Sequence, residues 1–170
     1  AHGTDTRREM WVFGDDGDIF YDTLVKYNRL RYKLMPTIYS IAGLVWKNDA
    51  SFFSPLSFIF CDDKNTYDIK DQFMVGNNIM VCPVTNPMYY ASGSVKLRDI
   101  QKTRAVYLPA GTGWYDFHTN KHYDGGQFIM ADADLDIIPV FIKDGAAIIT
   151  GEASEYADHN ADKPMTITIY

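Results

Sequence analysis

His2, followed by Gly3 and then by Arg7, Arg8 and Glu9, puts an imidazole, two guanidinium groups and a carboxylate close together in one stretch. Such a set can hydrogen-bond a hydroxyl-bearing or anionic ligand, while a loop histidine without a partner is the plainer reading of these residues alone. Asp15, Asp16 and Asp18 around Gly17 suggest calcium. An EF-hand loop, however, needs ligands at alternating positions and a Glu at its twelfth, and neither is present; Asp18 is expected instead to cap a helix. His118, His122 and His159 fall in turns or a linker, with no spacing that holds a metal, and are expected to face solvent. Asp132, Asp134 and Asp136 alternate, so an extended backbone would align three carboxylates; they either take a cation or mark an exposed strand. Trp114, Tyr115, Phe117 and Tyr123 form either a sugar-stacking platform or the core of a sandwich. Cys61 and Cys82 lack any zinc spacing and sit in apolar runs, which points to buried free thiols.

The rest of the inventory excludes more than it selects. A net charge of -6 with no basic cluster argues against nucleic acid as a partner, because phosphate-backbone affinity is driven by Lys and Arg. With 46% hydrophobic residues and no apolar run approaching the length of a bilayer, the pattern is that of a globular chain and no membrane partner is expected. No serine-nucleophile motif and no phosphate-binding glycine loop occurs, and no cofactor or metal is implied. The stretch AHGTDTRREMW has neither an initiator Met nor the apolar core of a signal peptide and reads as the middle of a loop, so the chain is expected to be a fragment.

The elements that must position these residues change character along the chain. Phe20, Leu24, Tyr27, Leu30, Leu34, Ile38, Ala42 and Val45 recur at spacings of three and four, which predicts a long amphipathic helix. Pro36 removes a backbone donor and should break it near Met35. Phe52 to Cys61 reads as a strand buried on both faces, the usual state of a parallel strand in an α/β core. Asp68 to Gly76 is expected to form a short helix capped by Asp68 and stopped by Gly76, acting as a hinge before a buried strand at Ile79 to Cys82. Beyond Val84, short runs rich in aromatic and β-branched residues, separated by Pro/Gly/Asn turns, predict an antiparallel sandwich. Met165 to Tyr170 is a further strand after a polar linker.

The order of motifs resembles glycoside hydrolase family 31, the α-glucosidase and α-xylosidase family. The resemblance is carried by His2-Gly3 with Arg8-Glu9 and Trp11, by the run from Arg29 through Pro36 to Ser40, and by Pro55-Leu56. It continues through Asp68 to Gly76, Val81 to Val84, Tyr107-Leu108-Pro109 with Trp114-Tyr115-Asp116, and Ile138 to Gly145. It implies α/β plus all-β architecture. Residues 1–78 would be the last βα units of a catalytic (β/α)8 barrel with Phe52 to Phe60 as its eighth strand, 79–151 a proximal C-terminal β-sandwich, and 152–170 a linker and the first strand of a distal β-domain.

The resemblance also implies a retaining mechanism in which one aspartate forms a glycosyl-enzyme and a second acts as acid and base, the two carboxyls about 5 Å apart. In the family these aspartates lie upstream of Ala1, so no catalytic residue is expected in this chain, and the isolated 170 residues are expected to be inactive. His2 matches the histidine that hydrogen-bonds the sugar in subsite -1. The implied partners are an α-linked oligosaccharide or glycoside and the remainder of the barrel. The chain departs from the family at Ser54, where arginine is common, and at Arg7, where proline is frequent. Two other readings share these features: a non-catalytic carbohydrate-binding β-module, and an α-glucan lyase or transglycosylase of the same family.

Overall fold

The computed structural model describes residues 9–154, 156 and 162–170. A single 3-10 turn at Met10–Val12 precedes helix α1 (Ile19–Lys33) and helix α2 (Met35–Asn48). The break expected at Pro36 is present: Leu34 leaves helical geometry, with ψ near 2°, between the two helices. Asp18 stands at the N-cap position of α1, but its carboxylate does not cap the helix. It accepts from Asp15 N at 2.9 Å, and Gly17 N donates to Asp22 Oδ1 at 3.2 Å, so the acidic cluster is spent on its own loop.

From residue 53 the chain is mostly antiparallel sheet. Strand β1 (Phe53–Pro55) leads into a single helical turn, α3 (Leu56–Ile59), and then into β2 (Phe73–Val75), β3 (Ile79–Val81), β4 (Tyr90–Ala91) and β5 (Val95–Lys96). There follow β6 (Thr103–Leu108), β7 (Gly113–Asp116), β8 (His122–Asp124), β9 (Gln127–Asp132), β10 (Val140–Lys143), β11 (Ala147–Thr150) and β12 (Thr166–Ile169). One sheet has the order β1-β2-β3-β10-β7-β8, and β6-β9, β4-β5 and β11-β12 form two-stranded sheets. Register aligns Ser54 with Met74, Met74 with Met80, and Met80 with Phe141, so one row of side chains crosses four strands on the same face. That row packs against Val106, Leu108 and Ala131 of the β6–β9 pair, with Leu56, Cys82 and Trp114 completing the core.

Two expectations fail here. Phe52 to Cys61 is not one continuous strand: only Phe53–Pro55 is extended, and it pairs antiparallel with β2 in the sheet that also holds β3 and β10. Pro55 is the physical reason. Its fixed φ and missing N–H suit the start of a helix, and the chain turns helical at Leu56. Phe53 and Phe58 are 64% and 75% exposed in this segment.

The expected hinge helix is also absent. Phe73–Val75 and Ile79–Val81 form a hairpin closed by Gly76, Asn77 and Asn78, with Gly76 at φ +58°. An added Cβ there would sit 3.0 Å from Ile41 Cγ1, so glycine serves both the turn and the close approach. Asp68 caps nothing; the local cap belongs to Asp63, which accepts from Asn65 N at the 3-10 turn Lys64–Thr66.

The chain divides into two compact units, one made of the described residues of Ala1–Ser40 and Ile148–Ile167, the other of Ile41–Ala147 and Thr168–Tyr170. In the first, Thr37 Oγ1 donates to Ile149 O at 2.7 Å and accepts from Ile149 N at 2.9 Å, tying the helical segment to β11. None of α1 is buried. Among the described residues no helix is long and apolar enough to cross a membrane.

Candidate functional site

His2, with Arg7 and Arg8, lies outside the described residues, as does His159. Among the described residues no group of three or more His, Cys, Asp or Glu could hold a metal ion. Asp134 accepts from Tyr89 Oη at 3.2 Å, and that contact, after burial, raises the Tyr89 pKa. His118 is exposed, with Nε2 2.9 Å from Ile138 O, and His122 stands 4.0 Å from the Asp144 carboxylate. Trp114 is no sugar platform. It is fully buried, its indole N–H donates to Pro109 O at 3.0 Å, and Phe60 packs on it at 5.7 Å. Cys82 is buried as expected, and its thiol is pushed up to about 12 by that burial, which outweighs the opposing field of Arg104. Cys61, expected to be buried, is exposed because the run it ends is not a strand.

The polar groups that do converge were not singled out by the sequence. Gln72, 4% exposed, donates through Nε2 to Tyr107 O at 2.7 Å and accepts at Oε1 from Tyr107 N at 2.9 Å. Both backbone groups of one β6 residue are thereby closed by one carboxamide on the side away from β9. Tyr107 Oη donates to Asp63 Oδ2 at 2.7 Å and accepts from Asn65 Nδ2 at 3.1 Å. Asp63 Oδ2 also accepts from Ala110 N at 2.9 Å. Burial pushes the Asp63 carboxyl up, but the N–H and O–H donors around it prevail and hold it below the ordinary carboxylate range.

Beside this clamp, Arg104, 7% exposed, reaches Asp71 Oδ2 at 2.8 Å, Asp71 O at 3.1 Å and the carbonyl of Pro83. These groups join β6 to the segment before β2 and to the end of β3. They hold the sheets together; they do not present an acid, a base or a nucleophile. The signal in the sequence was an Arg at an inward strand position and a Gln directly before the apolar run Phe73-Met74-Val75, each of which needs a partner if it is buried.

A cleft of about 480 Å³ opens beside β1. Phe53 and Phe73, whose rings meet edge to face at 5.8 Å, line it together with Tyr67, Ile69, Lys70 and Gln72. Gln72 is committed to Tyr107, and Tyr67 Oη donates to Cys61 O at 2.7 Å, while Ser54, Ser57 and Lys70 complete the polar lining.

Residues 49–148 match the model of the glycosyl hydrolase family 31 C-terminal domain. The chain is 33% identical over 165 residues to α-glucosidase 2 of Bacillus thermoamyloliquefaciens, covering 96% of this chain and 19% of that protein. It is 37% identical over 148 residues to an α-xylosidase of Saccharolobus solfataricus, covering 87% of this chain and 18% of the relative. Among solved structures, a family 31 α-xylosidase from Xanthomonas citri superposes with a TM-score of 0.84 at 38% identity, over 96% of this chain and 16% of that one. The chain therefore spans about a fifth of the length of the curated relatives it matches.

Proposed function

The chain belongs to glycosyl hydrolase family 31, and from that premise we propose that it is the C-terminal portion of an enzyme cleaving α-glucosidic or α-xylosidic bonds with retention of anomeric configuration. In this reading α1 and α2 end the catalytic (β/α)8 barrel, residues 79–151 form the proximal sandwich, and 152–170 lead into a distal β-domain.

Retention requires two carboxyls about 5 Å apart, one attacking the anomeric carbon and the other first protonating the leaving oxygen and then deprotonating water. Both belong to barrel sequence outside this chain. His2 contributes hydrogen bonds to hydroxyls of the sugar in subsite -1, and the substrate is an α-linked oligosaccharide or glycoside. The observation that carries the reading is the collinear run of family motifs along nearly the whole chain. A general acid needs an elevated pKa, whereas Asp63 is displaced downward and tied into a structural clamp.

The test is hydrolysis of aryl α-glucoside and α-xyloside by the polypeptide that contains these residues, alongside its His2→Ala variant. A hydrogen bond left unmade in a closed site costs about 1–3 kcal/mol, so kcat/KM should fall roughly 5- to 150-fold with the melting temperature unchanged. Unchanged kcat/KM would refute the role of His2. An elimination product in place of the free sugar would assign a lyase, transfer to an acceptor sugar a transglycosylase, and binding without turnover a carbohydrate-binding module.

A further inference from the structure

The β6–β9 pair has two edges, and the chain treats them differently. On the β6 side, the outward N–H and C=O of Tyr107 are closed by the Gln72 carboxamide, and Ala105 O accepts from Arg104 Nε at 3.2 Å. On the β9 side nothing comparable is present. Ala133 N donates to Lys102 O at 2.8 Å, which sets the phase of the ladder: Gln127, Ile129 and Ala131 turn their backbone groups towards β6, and Phe128, Met130 and Asp132 turn theirs away. Among the described residues those outward N–H and C=O groups form no hydrogen bond. The side chains of the same residues stand on the outer face, with Phe128 63% and Met130 60% exposed. The strand QFIMAD carries no Lys and no Pro to blunt its edge. An open, apolar edge of this length is a template for pairing with another strand.

We propose that the β9 edge is a self-association surface, on which β9 of a second copy of this chain adds antiparallel to make one continuous sheet. The strand's own sequence selects this occupant. A two-fold axis perpendicular to the sheet at Ile129 sets Phe128 opposite Met130 of the second copy, and Met130 opposite its Phe128. These are the residues whose backbone groups point outward, so each pair can exchange two hydrogen bonds. The same operation lays an aromatic ring beside a thioether at both pairs on the outer face. It also places Asp132, the sole charge of the strand, opposite Gly126, so no like charges meet. A slip of one residue would set Phe128 against an inward position, which fixes the register.

The test uses the complete enzyme that contains these residues. Light scattering after size exclusion gives the mass of the parent and of Met130→Lys, an exposed position where the new ammonium would face Phe128 of the second copy. The parent is expected as a dimer or a multiple of dimers, and the variant at half that mass at the same concentration, with unchanged circular dichroism. A second measurement places the photoreactive analogue p-benzoylphenylalanine at Phe128 and mixes isotope-labelled with unlabelled chains before irradiation. Mixed-isotope cross-links to the peptide carrying Met130 are expected by mass spectrometry. A monomeric parent would overturn the proposal, as would an assembly that survives Met130→Lys. Cross-links confined to one molecule would also overturn it, since another part of the same enzyme would then cover the edge. Hydrolysis of α-glycosides, assayed on the same preparations, bears on the hydrolase reading alone.

Discussion

Replacing Gln72 with Leu should be among the most costly single changes in the sandwich. Tyr107 is 2% exposed, and its backbone N–H and C=O both depend on the Gln72 carboxamide at 2.9 and 2.7 Å. Leucine fills a similar volume but offers no polar atoms, so two buried backbone groups lose their partners. Each costs about 1–3 kcal/mol, giving about 2–6 kcal/mol together and a fall in melting temperature of roughly 4–24 °C. Gln72→Glu supplies a sharper control. A protonated carboxyl can donate to Tyr107 O and accept from Tyr107 N much as the amide does, but the carboxylate can only accept.

Burial raises the folded-state pKa of that new acid above its unfolded value near 4.3, so the folded state binds the extra proton. The variant should therefore approach parental stability below about pH 4 and lose it as pH rises through the folded pKa. Urea unfolding at pH 4 and pH 7, together with exchange of the Tyr107 amide, measures both effects. A Gln72→Leu protein within about 0.5 kcal/mol of the parent, or a Gln72→Glu protein without this pH dependence, would refute the clamp.

Arg104→Met should cost about 2–4 kcal/mol, because it strands the carbonyls of Asp71 and Pro83, whereas Asp71→Asn, at a 40% exposed carboxylate, should cost about 1; denaturant midpoints give the order, and a larger loss for Asp71→Asn would contradict it. Asp63, held below its ordinary pKa by its donors, contributes stability that is present above its unfolded pKa near 3.9 and is lost as pH falls through the lower folded value. The stability gap between the parent and Asp63→Asn should accordingly close in acid, below about pH 4, and a gap that is flat with pH would oppose this. Iodoacetamide at neutral pH should label Cys61 in the native chain and spare Cys82 until the chain unfolds, since the Cys82 thiol is buried and its pKa stands at about 12; native labelling of Cys82, read by peptide mass, would show that this core opens.

What was legible in the sequence was periodicity and punctuation. Pro36 broke the long helical pattern where expected, and the runs that became β6, β7, β9 and β10 were visible because Pro109 to Gly111 and Asp124 to Gly126 separate short aromatic and β-branched segments. Two stretches misled. In Phe52 to Cys61 an apolar count does not show where the extended backbone stops: Pro55 fixes φ and lacks an N–H, and the chain turns helical at Leu56. Ile69, Phe73 and Met74 fit a helical face, but Phe-Met-Val and Ile-Met-Val on either side of Gly-Asn-Asn were equally the signature of a hairpin. The clamp of Asp63, Gln72 and Tyr107 joins residues 35 to 44 positions apart, which no local pattern reveals. His2, the one substrate-binding residue implied by family resemblance, lies outside the described residues.

The central claim, that these residues belong to a retaining α-glycosidase, is met most directly by time-resolved proton NMR of the complete enzyme acting on an aryl α-glucoside or α-xyloside. The α-anomer of the released sugar should appear first, with the β-anomer growing only at the rate of mutarotation. Initial release of the β-anomer, or no hydrolysis of either substrate by a folded preparation, would contradict it.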